Sequence, residues 1–507
     1  MPAWVAVFLV LYFLVATLLF FYGMHAYVMA VLWHRAVRRT QVFREPRELP
    51  SVTVQLPLFN ERYVAKRLID AVAAMDYPKD RLEIQVLDDS TDETVEHVAE
   101  IAEAWRRRGV DVTHIHRSDR TGFKAGALRN GLARAKGELV AVFDADFVPP
   151  ATFLADTVPQ FTDERVGMVQ TRWGHLNEGF SLLTRTQAVA LDGHFLIEQT
   201  VRNRCGAFMN FNGTAGVWRK KCILDAGNWQ HDTLTEDLDL SYRAQLAGWD
   251  FVFLPDVVSP AELPSEVNGL KGQQYRWAKG SVQTAVKILP LVFRAGLPRF
   301  QRFQAVVHLT NHAVYPLLLL LGLMALPALM VLDRFPQVEG AFTAASVLVV
   351  ASFGHPWLYF ISQRLRGRGR REAIAMIPAV IAGGMGIAIN NTRALVEGVA
   401  GRRSSFNRTP KYAIVSRGDS WRGKGYRVPF SGWALAEVGL AVYSAAAFTY
   451  ALVHGYYMVL PFLALYFLGG GYIGSLSLIH AVGQLREGRR ERLEGERGLA
   501  AALSGGE

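Results

Sequence analysis

Two pairs of aspartates in the first third of the chain have the types and spacing that metal and nucleotide chemistry requires. Asp88 and Asp89 follow the alternating run 82–87, and Asp144 and Asp146 follow the apolar run 138–143. Mg²⁺ and Mn²⁺ prefer oxygen ligands and take several of them from substrate phosphates. Asp144 and Asp146 are therefore candidate metal ligands, whereas Asp88 and Asp89 could accept charge-assisted hydrogen bonds from a base or ribose. Each pair alone could also be an ordinary turn.

Two other stretches of the chain could supply a phosphate-binding cation and a catalytic base. Lys124 lies in the small-residue stretch 122–126, where glycines would let a phosphate approach the backbone, although a lysine in a first helical turn is usually solvated. Thr235, Glu236 and Asp237 begin a helix. Asp237 could accept a proton from an attacking hydroxyl. Alternatively, these acids only stabilise the positive end of the helix dipole.

The run 273–277 combines amides, a guanidinium and an indole, in Gln273, Arg276 and Trp277 among others. Arginine suits diphosphate oxygens, and tryptophan suits the apolar face of a sugar ring. The run also precedes a long apolar segment, so an Arg/Trp pair at a membrane boundary is the simpler alternative.

The elements that must position these residues alternate between strand and helix. Strand patterns at 51–56, 82–87, 111–116 and 138–143 are separated by helical periodicity. This alternation predicts an α/β fold with a mainly parallel sheet, in which ligands bind at the carboxyl ends of strands. Both aspartate pairs fall at such ends.

Long apolar segments flank this region. Residues 1–32 predict one transmembrane helix, and segments near 305–332, 341–363, 432–453 and 457–481 predict four more. Arginines follow the first segment, so the positive-inside rule places residue 33 onward in the cytoplasm. Segment 372–396 has basic clusters on both flanks, so we expect it to lie on the membrane surface, with a sixth crossing as the alternative.

Charge and cysteine content argue against a nucleic-acid-binding protein and against a metal site made of cysteines. The net charge of +10 arises largely beside the apolar runs, and no recognition motif accompanies it, so we expect no nucleic-acid partner. The two cysteines, Cys205 and Cys222, match no metal-ligand spacing.

The order of these motifs resembles the processive, inverting family-2 glycosyltransferases that include cellulose, hyaluronan and mannan synthases. Longer strings at 85–92 (QVLDDSTD), 122–128 (GFKAGAL), 143–147 (FDADF) and 211–218 (FNGTAGVW) are most similar to the cellulose synthase-like A and C proteins, the mannan and glucan synthases of plants. The resemblance covers residues 50–280. It implies a GT-A-type, Rossmann-like glycosyltransferase domain inserted in an α-helical transmembrane region.

The resemblance also implies a role for each motif. Asp237 would be the catalytic base, positioned by Thr235 and Glu236, and Asp146 would be the more direct ligand of Mg²⁺ or Mn²⁺ beside Asp144. The donor would bind Asp88, Asp89, Lys124, Asp144, Gln273, Arg276, Thr409 and Lys411. The acceptor would bind Phe211, Asn212, Gly213, Thr214 and Trp277.

Thr409 and Lys411 belong to a segment, 406–411, that resembles the family's gating loop, in which Pro410 is a departure. The expected organisation is a transmembrane helix (1–32), a cytoplasmic linker (33–50), the GT-A domain (51–300), two transmembrane helices (301–363), a cytoplasmic interfacial helix with the gating-loop-like segment (364–431), two transmembrane helices (432–481) and a basic tail (482–507).

The implied activity is transfer of a hexose from GDP-mannose or UDP-glucose to a growing β-glycan by a single inverting displacement, with translocation of the chain as an extension. The expected setting is the lipid bilayer of a bacterial inner or cell membrane. Two alternatives stay open: a non-processive enzyme that adds one sugar to a lipid acceptor, and a membrane transporter with a nucleotide-binding domain. The sequence does not discriminate between the two donors.

Overall fold

A computed structural model describes residues 1–39, 46, 48–402, 408–421, 423–426 and 432–504, with side chains up to residue 483. Phe406 and Asn407 of the gating-loop-like segment lie outside the described residues, as do parts of the linker 33–50. The described chain has an α/β domain between long apolar helices, as the sequence predicts.

The domain is built on one seven-stranded sheet with the strand order β3-β2-β1-β4-β6-β5-β7. Only β6 runs antiparallel, pairing with β4 and β5, whereas the other pairs are parallel. The strands are β1 (Val52–Leu58), β2 (Leu82–Asp88), β3 (Asp111–His116), β4 (Leu139–Val142), β5 (Val166–His175), β6 (Gly216–Arg219) and β7 (Asp250–Ala261).

The central strands are buried on both faces, and β4 is apolar throughout, whereas β2 also buries Glu83, Gln85 and Asp88. Because β6 is antiparallel, the residues that precede it lie at the same edge as those that follow β1, β2 and β4. This geometry brings residues 211–215 to the carboxyl edge of the sheet, next to the segment after β4.

Helices cover both faces of the sheet and lead into the membrane region. The first helix is α1 (Ala3–Ala36), and those of the domain are α2 (Ala65–Ala73), α3 (Thr94–Arg106), α4 (Phe123–Leu132), α5 (Phe153–Thr157), α6 (Leu182–Asp192), α7 (Thr200–Arg204), α8 (Lys220–Asp225), α9 (Glu236–Leu246) and α10 (Val267–Arg294). A π-helical segment, Gly193–Gln199, joins α6 to α7.

The remaining helices are α11 (Arg299–Thr310), α12 (Val314–Arg334), α13 (Glu339–Ala345), α14 (Gly354–Leu365), α15 (Arg370–Gly386), α16 (Ala388–Val399), α17 (Ala434–Val453) and α18 (Leu460–Ser504). Within the described residues, five stretches are long and apolar enough to cross a membrane: Ala3–Ala36, Arg299–Arg334, Pro336–Leu365, Ala434–Val453 and Tyr457–Gly483. They correspond to the five crossings that the sequence predicts.

Helices α15 and α16 cover the segment that the sequence places on the membrane surface. They are bent by 44° at their junction, so they do not form one straight crossing. Gly386 and Gly469 of α18 allow close helix contact, because a Cβ on Gly386 would lie 2.4 Å from the Gly469 carbonyl oxygen. The surface location stays a proposal.

Candidate active site

A cleft lies at the carboxyl edge of the sheet, between α4, α9, α10 and residues 408–411. Of the residues singled out from the sequence, those that line it are Asp89, Lys124, Asp144, Asp146, Asn212, Gly213, Thr235, Glu236, Asp237, Gln273, Arg276, Trp277, Thr409 and Lys411. The folded chain therefore brings together motifs that are separated by more than 300 positions.

Lys124 and Asp144 form an ion pair in the centre of the cleft. Lys124 Nζ lies 2.5 Å from Asp144 Oδ1 and donates a hydrogen bond to the Gly213 carbonyl oxygen at 2.8 Å. Burial alone would lower the pKa of Lys124, but the carboxylates of Asp144 and Glu236 hold it above its ordinary value. The ammonium group is therefore charged and available to a phosphate.

The small residues beside Lys124 have a structural role that differs from the expected one. A Cβ on Gly126 would lie 2.1 Å from the Thr121 carbonyl oxygen, so this glycine allows contact with the chain itself rather than with a phosphate. Gly122 adopts a φ of 75°, in the left-handed region that favours glycine, at the start of α4. Both glycines fix the turn that aims Lys124 into the cleft.

Asp237 lies at the start of α9, opposite the backbone of Gly213. A Cβ on Gly213 would be 2.9 Å from Asp237 Oδ2, so the absent side chain leaves this carboxylate open to the cleft. Burial, followed by the negative charge of Glu236, raises the pKa of Asp237 to about 7. A carboxylate that titrates near neutral pH suits proton transfer.

Helix α10 carries the run 273–277 and packs against Thr235, which precedes α9. Thr235 Oγ1 lies 3.1 Å from Thr284 Oγ1, and a Cβ on Gly280 would clash with Thr235, so α9 and α10 are tightly packed. Burial lowers the pKa of Arg276 to about 10, which leaves its guanidinium charged at neutral pH.

Arg408, Thr409 and Lys411 also line the cleft. Lys411 Nζ lies 2.5 Å from Asp146 Oδ2, and Arg276 Nη2 donates to Thr409 Oγ1 at 2.7 Å. Arg408 Nη1 lies 3.4 Å from Glu61 Oε1. This segment therefore contacts both the sheet edge and α10.

The outer end of the cleft, beyond β1 and β2, separates the two aspartates of the first pair. Asp89 lines the cleft and accepts two hydrogen bonds from Arg117, at 2.7 and 2.6 Å. Asp88 is fully buried and instead accepts a bond from the Ser90 backbone at 2.8 Å and contacts His114 at 2.9 Å. Asp88 therefore stabilises the turn after β2, whereas the side chain of Asp89 faces the cleft.

The segment 211–214 is divided in the same way. Phe211 is buried against Trp218, with ring centroids 5.5 Å apart, and Thr214 Oγ1 accepts a hydrogen bond from the Asp144 backbone at 2.9 Å. Neither the Phe211 nor the Thr214 side chain lines the cleft, so neither lies where it could contact an acceptor in the cleft. Asn212 and Gly213 do line it.

Sequence reasoning missed several charged side chains in the cleft, among them Arg120, Glu61 and Glu262. The Arg120 guanidinium lies 3.3 Å from the centre of the Phe59 ring, beside Asp89. Glu61 follows β1, and burial raises its pKa to about 7. Glu262 follows β7 and accepts a hydrogen bond from the Tyr412 backbone at 3.0 Å. Glu61 and Glu262 follow strand ends like the identified aspartates, which was the available signal.

The carboxylates fit a cation that takes most of its ligands from a substrate. Among the described residues, no group of three or more His, Cys, Asp or Glu side chains could hold a metal ion alone. Asp144 and Asp146 provide the one or two carboxylates that Mg²⁺ or Mn²⁺ uses beside phosphates. The Asp144 side chain is 36% exposed and that of Asp146 8%, so Asp144 is the more accessible ligand.

Residues 50–280, which contribute most of the cleft, are similar in sequence to known glycosyltransferases. Residues 50–280 match the family model described as "Glycosyltransferase like family 2". A rice (Oryza sativa subsp. japonica) glucomannan 4-beta-mannosyltransferase 1 is 44% identical over 250 residues, which cover 48% of each chain. An Arabidopsis thaliana glucomannan 4-beta-mannosyltransferase 2 is 42% identical over 264 residues, 51% of this chain and 49% of the relative.

Among solved structures, the mannosyltransferase PcManGT from Pyrobaculum calidifontis, in complex with GDP-Man and Mn²⁺, is similar with a TM-score of 0.49 and 22% identity. The similarity covers 77% of this chain and 100% of that chain. The chain spans about half the length of the curated relatives it matches. The matched region, the mixed sheet and the cleft at its carboxyl edge identify residues 50–280 as a glycosyltransferase family 2 domain with the GT-A fold.

Proposed function

We propose that the chain is an inverting membrane β-mannosyltransferase that transfers mannose from a nucleotide sugar, preferably GDP-mannose, to a growing β-glycan. The observation that carries this proposal is the position of Asp237, a carboxylate with a pKa near 7 in the same cleft as Lys124 and Asp144. The names of the plant relatives support mannose as the sugar and a β-linkage.

The donor would lie across the cleft along the edge of the sheet. Asp89 would bind the nucleoside at the outer end, where Phe59 and Arg120 offer a surface for the base. The diphosphate would bind Lys124 and Arg276, with Thr409 and Lys411 covering it. These cations would stabilise charge that develops on the departing nucleoside diphosphate.

Asp144 and Asp146 would hold Mg²⁺ or Mn²⁺ together with the donor. When bound, the divalent cation supplies positive charge to the leaving group. Lys411 contacts Asp146 and must give up this partner before Asp146 can coordinate a cation. Asp144 is the more accessible of the two, although it pairs with Lys124.

Asp237 would accept the proton of the acceptor hydroxyl as that oxygen attacks the anomeric carbon from the face opposite the diphosphate. The bond to the diphosphate breaks as the new glycosidic bond forms, so an α-linked donor gives a β-linked product. Thr235 and Glu236 would position the base, Trp277 and Asn212 would hold the acceptor end, and Gln273 would contact the donor.

The domain would face the cytoplasm. Arg366 and Arg368, at the end of α14, pair with Glu178 of the domain, and Arg366 also lies 3.5 Å from Asp192. The arginine cluster is therefore on the same side of the candidate spans as the domain, and such clusters favour the cytoplasmic side. The sequence led us to expect a bacterial membrane, but the relatives are plant proteins and do not support that location.

A panel of nucleotide sugars tests the proposal. The full-length chain, in detergent or in lipid vesicles, would be assayed for release of nucleoside diphosphate from GDP-mannose, UDP-glucose and UDP-N-acetylglucosamine. We expect turnover of GDP-mannose with Mn²⁺ or Mg²⁺ and none after chelation with EDTA. Absence of turnover with every donor, in samples that remain folded, would contradict the proposal.

The length of the labelled product distinguishes two modes of transfer. A ladder or polymer of β-linked mannose would support a growing glycan as the acceptor. A single labelled glycolipid would show instead that the chain adds one sugar to a lipid. Digestion of the product by a β-mannanase provides the control for linkage.

A further inference from the structure

The π-helical segment Gly193–Gln199 directs two side chains toward the acceptor end of the cleft. Asn212 Nδ2 lies 3.1 Å from His194 Nε2, and Gln199 Nε2 donates to Asn212 Oδ1 at 2.8 Å. Single π-helical turns within helices are rare and often occur at functional sites. Here the wider turn brings the side chains of His194 and Gln199 into contact with the Asn212 side chain.

Backbone atoms determine the orientation of the Asn212 amide. Gln199 Nε2 also donates to the Asn210 carbonyl oxygen at 2.8 Å, and only an amide nitrogen can bond to that oxygen. The same Gln199 nitrogen contacts Asn212, so the Asn212 atom nearest to it is the oxygen. The Asn212 nitrogen therefore faces His194, and His194 Nε2 must accept its hydrogen bond.

This arrangement fixes the tautomer of His194. Because Nε2 accepts a bond, the ring proton of neutral His194 lies on Nδ1, which contacts Glu198 Oε2 at 3.2 Å. Burial alone would raise the pKa of Glu198, but Arg202, 3.3 Å away, and His194 hold it well below its usual range. Glu198 is therefore a carboxylate that accepts the His194 proton in a hydrogen bond.

The amide that results is positioned close to the proposed base. The next residue is Gly213, whose carbonyl oxygen accepts a hydrogen bond from Lys124. The Cα of Gly213 faces Asp237 Oδ2. Asn212 lines the cleft and has two amide protons. Among the described residues, only His194 accepts one of them, so the other is available to a ligand.

We propose that Glu198 and His194 are positioning residues that fix the Asn212 amide so that it binds a hydroxyl of the acceptor sugar next to Asp237. This role rests on the proposed function and deepens it. Neither His194 nor Glu198 is among the residues that line the cleft, so both would act through Asn212. Loss of His194 would leave Asn212 free to rotate, so acceptor binding would suffer and donor binding would not.

The test compares His194→Ala and His194→Gln with the wild-type chain. The assay uses GDP-mannose as donor and mannohexaose as acceptor probe, and binding of GDP is measured separately by calorimetry. We expect His194→Ala to raise the acceptor KM about 10- to 100-fold, as a misplaced substrate contact does, with the Kd for GDP within about twofold of wild type. His194→Gln should recover most of the loss, because its amide oxygen can accept from Asn212.

A matched control is His97→Gln on α3, remote from Asn212, which should leave both quantities unchanged. An unchanged acceptor KM in His194→Ala would overturn the proposed role. So would a parallel loss of GDP binding and thermal stability, because that pattern indicates a general structural defect. Inactivity of the wild-type chain with every donor would instead overturn the proposed function, together with this role.

Discussion

The two walls of the cleft differ in origin and in charge. The sheet edge contributes mainly acids, including Asp89, Asp144 and Asp146, which follow buried strands. The opposite wall, made by α10 and residues 408–411, contributes cations from elements that adjoin the candidate membrane spans. Across the cleft, these cations pair with the acids, as Lys411 does with Asp146.

This difference explains how one site could bind an anionic donor and a cation together. In the proposed function, a diphosphate entering the cleft would offer the cations a new partner, and the released acids would be free to coordinate a metal ion. The acidic wall would then hold the metal and supply the base, whereas the cationic wall, together with Lys124, would bind the phosphates. The following predictions test this division, from the largest expected effect to the smallest.

Removal of the base on the acidic side should have the largest effect. Asp237→Asn retains the shape of the side chain but cannot accept a proton, so we expect the transfer rate to fall about 10²- to 10⁴-fold. The Kd for GDP should stay within about twofold of wild type. The exposed Asp225→Asn is the matched control, and substantial residual transfer by Asp237→Asn would remove Asp237 as the base.

Loss of the Lys411 cation, which contacts Asp146, should affect donor binding and metal binding in opposite directions. In Lys411→Gln, the donor loses a charge-assisted contact of about 1.5–3 kcal/mol, so its Kd should rise roughly 10- to 100-fold. Without its partner, Asp146 should bind Mn²⁺ more tightly in the absence of donor, which electron paramagnetic resonance can measure. Weaker binding of Mn²⁺ would show that Lys411 supports the metal site rather than competing with it.

A smaller change is expected at the outer end of the cleft. Arg120→Lys keeps the charge but removes the planar group that lies on Phe59, so the affinity for GDP should fall about fivefold. Arg129→Lys, on the exposed side of α4, is the control and should have no effect. Equal GDP binding in both variants would exclude Arg120 from nucleoside recognition.

The smallest effect is a displacement of the pH profile. Because the pKa of Asp237 is raised to about 7 and the base must be ionised, kcat/KM should increase as the pH rises through this value. The charge of Glu236 contributes to this increase in pKa. In Glu236→Gln the ascending limb should therefore move to lower pH, and a limb that stays or moves upward would contradict the assignment.

The local parts of the site were predictable because they depend on chain neighbours. Asp144 and Asp146 follow a buried strand, and Asp237 lies in the first turn of a helix, so their positions at element ends could be read from periodicity. The five apolar segments were equally evident, since a spanning helix needs about 20 apolar residues. Motif order then identified the family.

The sequence alone therefore determined the α/β domain, the candidate spans and most of the polar side chains that line the cleft. Only the tertiary structure decided which member of a motif faces the cleft: Asp89 rather than Asp88, and Asn212 rather than Phe211. Adjacent residues at a strand end point in opposite directions, and packing on each face selects between them. The pairing of Lys411 with Asp146 and of His194 with Asn212 likewise depends on contacts between distant segments, which periodicity does not encode.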